Sequence, residues 1–461
     1  MESYAGVRTT GIYCRPGCGA QPRSDHVLGF DLAASAESAG YRACLRCRPY
    51  RTPLAPVIAG PEIVCRAVRL ILDGALDERT EAPLAARLGM SSRHLRRLFV
   101  ETVGVTPHGL ARSARTHFAR RLLDDTDLRI ADIAFAAGFG SVRQFNRSTV
   151  AIFKMTPSEL RARRRRTDRL VADGGLSLRL PFRGPLDWDA MVLLLARHAT
   201  PGVEHIAGST YRRTITVGGH PGVVELTSSG QDQLLLRLHL PHWSTLMHLV
   251  GRARRLACLD LPLPVASAHL AADQVIAPLL TRHPGLRPPG SWSPYETAVR
   301  AVLGQQTAPE TARALAAGIV QRYGEPVAGL TQFGLTHTFP RPRVLAASVL
   351  EDVGLDRSQV GAIVALSRAV RAGGLRLDRS IPLDELLAGL TGIDGIEEST
   401  AQYIALRLGE ADACPDADAT RCGLDPAVES SRVNAGRWSP WRALATTHLW
   451  FESERQRGAA A

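Results

Sequence analysis

A chain of 461 residues is longer than one hydrophobic core usually organises, so three or four domains are expected. Its 45% hydrophobic content is that of globular protein, and no stretch approaches the ~20 apolar residues of a membrane span, so a cytoplasmic protein without a membrane partner is expected. The net charge of +12 and pI near 9.8 describe a surface that attracts polyanions, and with no lysine-rich amphipathic helix in the chain nucleic acid is favoured over membrane.

Residues 1–52 are cysteine-bearing, rich in Gly and Pro and poor in helical periodicity, as expected of a small domain held by a metal. Cys14 and Cys18 form C-x3-C and Cys44 and Cys47 form C-x2-C, with 25 residues between the pairs. Each short spacing lets one turn offer two sulfurs to one ion, so the four match a tetrahedral zinc-thiolate site in a reducing compartment. Spacing alone leaves a purely structural knuckle equally admissible.

The flanking residues, Arg8-Thr-Thr-Gly-Ile-Tyr-Cys14-Arg-Pro-Gly-Cys18 and Gly40-Tyr-Arg-Ala-Cys44-Leu-Arg-Cys47-Arg-Pro, closely resemble the N-terminal domain of the Ada family of DNA methyl-phosphotriester repair proteins. The resemblance implies that Cys14 irreversibly accepts a methyl group and that Cys18, Cys44 and Cys47 complete the shell of one Zn2+, structural and nucleophile-activating at once. Zinc keeps sulfur as thiolate at neutral pH. Four thiolates on Zn2+ carry a net charge of −2, so methylating one removes a charge that opposes phosphate, and DNA affinity rises. About a dozen residues precede Cys14, where the resembled domain begins earlier.

From Pro61 to about Leu160, within a domain taken as 53–166, the pattern is of short amphipathic helices separated by Gly and Thr-Pro turns. Ala82–Phe99 has the form helix, Gly-containing turn, second helix capped by Ser91 or Ser92, and Ile130–Arg147 repeats it. Two such units, ending in Phe153-Lys-Met-Thr-Pro-Ser-Glu-Leu160, look like the DNA-binding domain of the AraC family of activators. Arg93, His94 and Arg96 in one second helix and Arg143, Gln144, Asn146 and Arg147 in the other are side chains that read base edges and phosphates, while Leu95, Leu98, Val142 and Phe145 are core positions. A regulator of this type implies double-stranded promoter DNA and RNA polymerase as partners.

After a linker at Arg161–Arg166 and Asp173-Gly-Gly, the segments Leu176–Phe182, Tyr211–Val217, Gly222–Leu226 and Leu234–Leu240 read as strands and Trp188–His198 as a helix, giving an α+β domain over 175–284. The Pro/Gly stretch His283–Gly290 separates it from a mainly helical region, 285–455. Ser293-Pro-Tyr-Glu-Thr-Ala-Val-Arg-Ala-Val-Leu-Gly-Gln-Gln306, Thr336-His-Thr-Phe-Pro-Arg-Pro342, Thr391-Gly-Ile-Asp-Gly-Ile-Glu-Glu-Ser-Thr-Ala-Gln-Tyr403 and Trp438-Ser-Pro-Trp-Arg442 resemble the AlkA type of 3-methyladenine DNA glycosylase, a helix-hairpin-helix fold. The fold class expected is therefore multidomain, mainly α with α+β: a zinc domain, a paired helix-turn-helix domain, an α+β domain and an all-helical glycosylase domain.

This second resemblance implies a monofunctional glycosylase that needs no cofactor and acts on alkylated duplex DNA. Asp418 is the carboxylate that stabilises positive charge on the sugar and positions water, with Asp416 as the alternative; Gln306 fills the gap left by the extruded base; Tyr403 and Trp450 hold the cationic base by cation–π attraction. The hairpin spans Gly392–Ser399, with Gly395 approaching the DNA backbone. Bifunctional enzymes nick the strand through a lysine Schiff base, and the chain's one lysine, Lys154, lies in the helix-turn-helix region. Two carboxylates, Glu397 and Glu398, occupy a hairpin that should approach phosphate, and the Pro-Cys-His-Arg motif of O-methylguanine repair is absent. The alternative reading is thus a transcriptional activator with a degenerate, non-catalytic glycosylase half.

Overall fold

The computed structural model describes residues 4–19, 24–51, 60–77, 80–170, 174–230, 233–305, 307–415 and 432–460. They fall into two compact units, 1–182 with 240–251 and 183–239 with 252–461. Among the described residues no helix is long and apolar enough to cross a membrane.

The first unit begins with a small sheet that the cysteine-rich composition did not foreshadow, because strands of two to four residues leave too little alternation to detect. Strands β1 (Tyr4–Val7), β2 (Ile12–Cys14), β3 (Val27–Phe30) and β4 (Arg42–Ala43) lie in the order β3-β1-β2-β4. Helix α1 (Ala33–Ser38) precedes β4. Then follow α2 (Glu62–Leu72), α3 (Glu81–Arg87), α4 (Ser92–Val103), α5 (Pro107–Asp125), α6 (Ile130–Ala136), α7 (Val142–Phe153), α8 (Pro157–Ala162) and β5 (Leu176–Pro181). Helix α5 is buried on nearly every side, and α2, α6, α7 and α8 all pack on it.

The two helix pairs, α3 with α4 and α6 with α7, are built by the same local chemistry. Gly89 (φ 71°) and Gly138 (φ 79°) supply the left-handed turn that L side chains rarely adopt. Ser91 caps α4 by accepting the His94 N–H at 3.2 Å, and Ser141 caps α7 by accepting the Gln144 N–H at the same distance.

In the second unit α9 (Trp188–Arg197) leads to an antiparallel meander of β6 (Glu204–Ala207), β7 (Thr210–Val217), β8 (His220–Ser228) and β9 (Gln233–His239). Strand β6 adds to the segments read from sequence. Helix α10 (Leu246–Leu256) begins in the first unit and ends in the second; α11 (Leu263–Leu270) and α12 (Ile276–Arg282) follow. The stretch 285–290 is buried rather than solvent-exposed. Arg287 is fully buried there, donating to the carbonyls of Arg183, Pro185 and Cys258, and a side chain on Gly290 would collide with the Arg255 carbonyl.

The remaining helices are α13 (Pro294–Gly304), α14 (Pro309–Tyr323), α15 (Pro342–Leu345), α16 (Arg357–Ala372), α17 (Leu383–Thr391), α18 (Glu398–Leu408) and α19 (Arg442–Ala460), joined in sequence by short strands β10 (Glu325–Pro326) and β11 (His337–Thr338) after α14. Apolar positions of α13, α14, α16, α17 and α18 form one core that includes Val299, Ile319, Leu366, Leu390 and Ile404. Trp438 is buried against Leu263, Leu270 and Leu444 and donates to Asp273, a packing role. The chain is thus multidomain and mainly helical with α+β parts, as its residue pattern leads one to expect.

Candidate functional sites

The four early cysteines converge. Strands β2 and β4 run parallel, pairing Tyr13 with Ala43, so Cys14 ends one strand and Cys44 directly follows the other. A turn through Gly17 (φ 72°), in which the Cys18 N–H donates to the Arg15 carbonyl, brings Cys18 round. Arg48, at φ 51°, donates its N–H to the Cys44 carbonyl and folds Cys47 back. The four sulfurs lie within 4.8 Å of one another. A tetrahedron with Zn–S bonds of ~2.3 Å needs sulfurs ~3.8 Å apart, so the donor set fits one such ion.

Cys14 and Cys44 are buried, while Cys18 and Cys47 are half-buried. Burial, then the charge of Cys44, pushes the Cys14 thiol far up, and burial pushes Cys47 up to about 12. Burial also raises Cys44, but N–H groups of Cys47 and Arg46 outweigh it and lower that thiol. Four sulfurs held this close ionise together only with a cation among them, which is the chemistry a bound metal would supply.

Behind the sulfurs lies a buried polar network that the sequence motifs did not single out. The Tyr13 hydroxyl donates to Glu37 Oε1 at 2.6 Å, and His117 Nε2 of α5 lies 2.5 Å from the same oxygen. Arg48 meets Asp168 at 2.6 Å, Arg51 meets Asp125 at 2.8 Å, and the Tyr50 hydroxyl donates to Asp124 at 3.1 Å.

On α4, Arg93, His94 and Arg96 are exposed while Leu95 is buried; on α7, Arg143, Gln144, Asn146 and Arg147 are exposed while Phe145 is buried. Among the described residues three of these side chains have internal partners: Arg96 pairs with the buried Glu81 at 3.2 Å, His94 Nδ1 lies 3.3 Å from Arg97 Nη2, and Gln144 Oε1 accepts the Gly140 N–H. Lys154 ends α7 at φ 57°, its ammonium donating to the Ala151 carbonyl.

The second unit holds a cavity of about 500 Å3 lined by side chains of α9, α13, α14, α18 and α19, with no lysine in its wall. Tyr403 and Trp450 face each other there, ring centroids 5.9 Å apart. Arg407, one turn beyond Tyr403 on α18 and only 2% exposed, donates to the Tyr403 hydroxyl at 2.6 Å and to the Gly290 carbonyl at 3.0 Å, and so sets the tyrosine ring. His198, capping α9, brings a third ring, 5.8 Å from Tyr403.

Gly395 is exposed at φ 88°, where a Cβ would crowd Ala362 at 3.1 Å. Gln305 holds this hairpin from outside it: Nε2 donates to the Gly395 carbonyl at 3.1 Å and Oε1 accepts the Glu397 N–H at 3.3 Å. Its neighbour Gln306, and both Asp416 and Asp418, lie outside the described residues; Pro415, the last residue before that segment, lines the cavity. Glu397 and Glu398 are exposed. Of the residues picked from sequence, Tyr403 and Trp450 meet in one cavity; Gln305, His198 and Arg407 were not picked, although the i, i+4 spacing of Tyr403 and Arg407 was a usable signal for the last.

Residues 2–50 match the family described as the metal binding domain of Ada, residues 84–163 a helix-turn-helix domain, and residues 177–293 the AlkA N-terminal domain. Over 459 residues the chain is 37% identical to the "Probable bifunctional transcriptional activator/DNA repair enzyme AlkA" of Mycobacterium tuberculosis, covering 97% of this chain and 92% of that one. It is 31% identical over 281 residues to the DNA-3-methyladenine glycosylase 2 of Escherichia coli, 59% of this chain and 96% of the relative. A solved 3-methyladenine DNA-glycosylase from Archaeoglobus fulgidus shares the fold with a TM-score of 0.51 at 20% identity, covering 60% of this chain and 98% of that one.

Proposed function

Because the chain belongs to the family of bifunctional transcriptional activator/DNA repair enzymes AlkA, we propose that it senses and repairs DNA alkylation in two separate reactions. In the first, the Cys14 sulfur attacks the methyl carbon of a DNA phosphotriester; the carbon–oxygen bond breaks, its electron pair stays on the phosphate, and a thioether remains on the protein. One zinc ion held by Cys14, Cys18, Cys44 and Cys47 would supply the charge that keeps these sulfurs ionised. Loss of one thiolate charge strengthens binding of α4 and α7 to promoter DNA, and RNA polymerase is the partner that reads the change.

In the second, the 285–455 region hydrolyses the glycosidic bond of an alkylated purine flipped from the duplex. Tyr403 and Trp450 hold the cationic base by cation–π attraction to their rings, and its departure with the bonding pair leaves positive charge on the sugar. The Asp418 carboxylate, with Asp416 as its alternative, stabilises that charge and orients the water whose oxygen joins the sugar. With no lysine in the cavity wall to form a Schiff base, the product is an unbroken abasic strand.

The observation that supports this reading most is a single chain carrying both the four-sulfur cluster and an aromatic cavity of base-accepting size. Release of free methylated base from alkylated DNA, lost in Asp418→Asn, tests the glycosylase; mass spectrometry of Cys14 after exposure to phosphotriester DNA tests the sensor. The exposed pair Glu397 and Glu398 on the hairpin favours a second reading, an activator whose glycosylase half does not cut. Intact protein that takes up methyl at Cys14 yet releases no base would establish it.

A further inference from the structure

The arginines that line the cavity are all engaged. Arg407 donates to Tyr403 and Gly290, Arg300 meets Glu204 at 2.5 Å, Arg197 pairs with Glu454, and Arg313 donates to the Ala199 carbonyl. The imidazole of His198 differs: it lines the same cavity, half-buried beside Tyr403, and has no hydrogen bond among the described residues. Burial first, then the charges of Arg407, Arg300, Arg197 and Arg313, hold it well below the usual histidine range, so the ring is neutral near pH 7. A neutral ring brings a lone pair to the aromatic pair without adding positive charge beside a cationic base.

We propose that His198 is a specificity-determining residue of the cavity, accepting a hydrogen bond from the exocyclic amine of an extruded alkylated adenine. The inference rests on the glycosylase reading above and names what that reading leaves open, the edge of the base. An adenine carries an N–H donor at its 6-position; a guanine carries a carbonyl oxygen there, which would set lone pair against lone pair. Both 3-methyladenine and 7-methylguanine are cationic in DNA, so the aromatic rings attract each and the choice between them falls to the edge contact.

The test uses the full chain and dimethyl-sulfate-treated duplex DNA, measuring release of 3-methyladenine and 7-methylguanine in one reaction. His198→Leu should lower the 3-methyladenine to 7-methylguanine ratio roughly tenfold, the worth of one hydrogen bond in a dry site, and His198→Gln, which keeps an acceptor, should recover most of it. An unchanged ratio in His198→Leu, or an equal fall in both products, overturns the assignment. Binding of free 3-methyladenine, followed calorimetrically, separates the two readings: intact protein that releases no base but binds it more tightly than His198→Leu does sinks the excision reading and supports His198, whereas equal binding by both proteins overturns His198.

Discussion

Arg213→Met tests whether the wall of the cavity is held by a buried ionic network. Arg213 of β7 is 3% exposed; it lies 2.7 Å from Glu296 of α13 and 3.5 Å from Glu204 of β6, while Arg300 of α13 completes a set of two cations and two anions. At an effective dielectric near 20 these two contacts are each worth about 5–6 kcal/mol of attraction, offset by several kcal/mol for desolvating the guanidinium. Methionine keeps the apolar stem but leaves two buried carboxylates facing one cation, so the second unit should lose about 3–5 kcal/mol. Guanidinium chloride unfolding followed by tryptophan fluorescence reads this directly, since Trp292 lies under Arg213 at 5.4 Å.

Adding Glu296→Gln to Arg213→Met should recover about 1–2 kcal/mol, because it removes one unpaired charge. The pH dependence carries a definite sign. Burial raises the Glu204 carboxyl, but Arg300 and Arg213 outweigh it and hold it below its ordinary range, so its contribution is full above that range and is lost as pH falls through the folded value. In Arg213→Met, Glu204 loses one of the two cations that hold it down and takes up a proton more readily, so the penalty shrinks as the pH falls. A penalty under about 1 kcal/mol at neutral pH, or none recovered by the second substitution, would refute the reasoning.

His448 of α19, 2% exposed, is pushed down to about 4 by burial and then by the charge of His283. The unfolded chain protonates this histidine below about 6.5 and the folded one only near 4, so stability is complete above that window and falls within it, by up to about 3 kcal/mol. His448→Gln should flatten acid unfolding between those limits, measured by circular dichroism. Arg143→Ala and Arg147→Ala should each lower the slope of log affinity against log salt by about 0.9 if the side chain meets a phosphate, read by fluorescence anisotropy on promoter DNA. Titration with a mercurial should release one equivalent of zinc from the intact protein and none from Cys18→Ser; any other stoichiometry counts against a single four-thiolate site.

Where placement depends on neighbours a few residues apart, the primary structure alone determined it. Cys14 and Cys18, Cys44 and Cys47, the left-handed Gly89 and Gly138, and the caps Ser91 and Ser141 all act over two to four positions, a range in which backbone geometry converts spacing directly into placement. Tyr403 was legible at the end of a long motif and Trp450 only as a position that the AlkA resemblance implies; that their rings meet 5.9 Å apart follows from the packing of α18 and α19. His198, Gln305 and the joining of Arg213 and Glu204 to Glu296 and Arg300 were invisible in the chain, since the contacts that bring them together span 83 positions for Arg213–Glu296, 90 for Gln305–Gly395, 96 for Arg300–Glu204 and 205 for His198–Tyr403. Whether a buried charge is neutralised or a ring meets a cavity depends on which helices the apolar core brings together, and that only the folded chain decides.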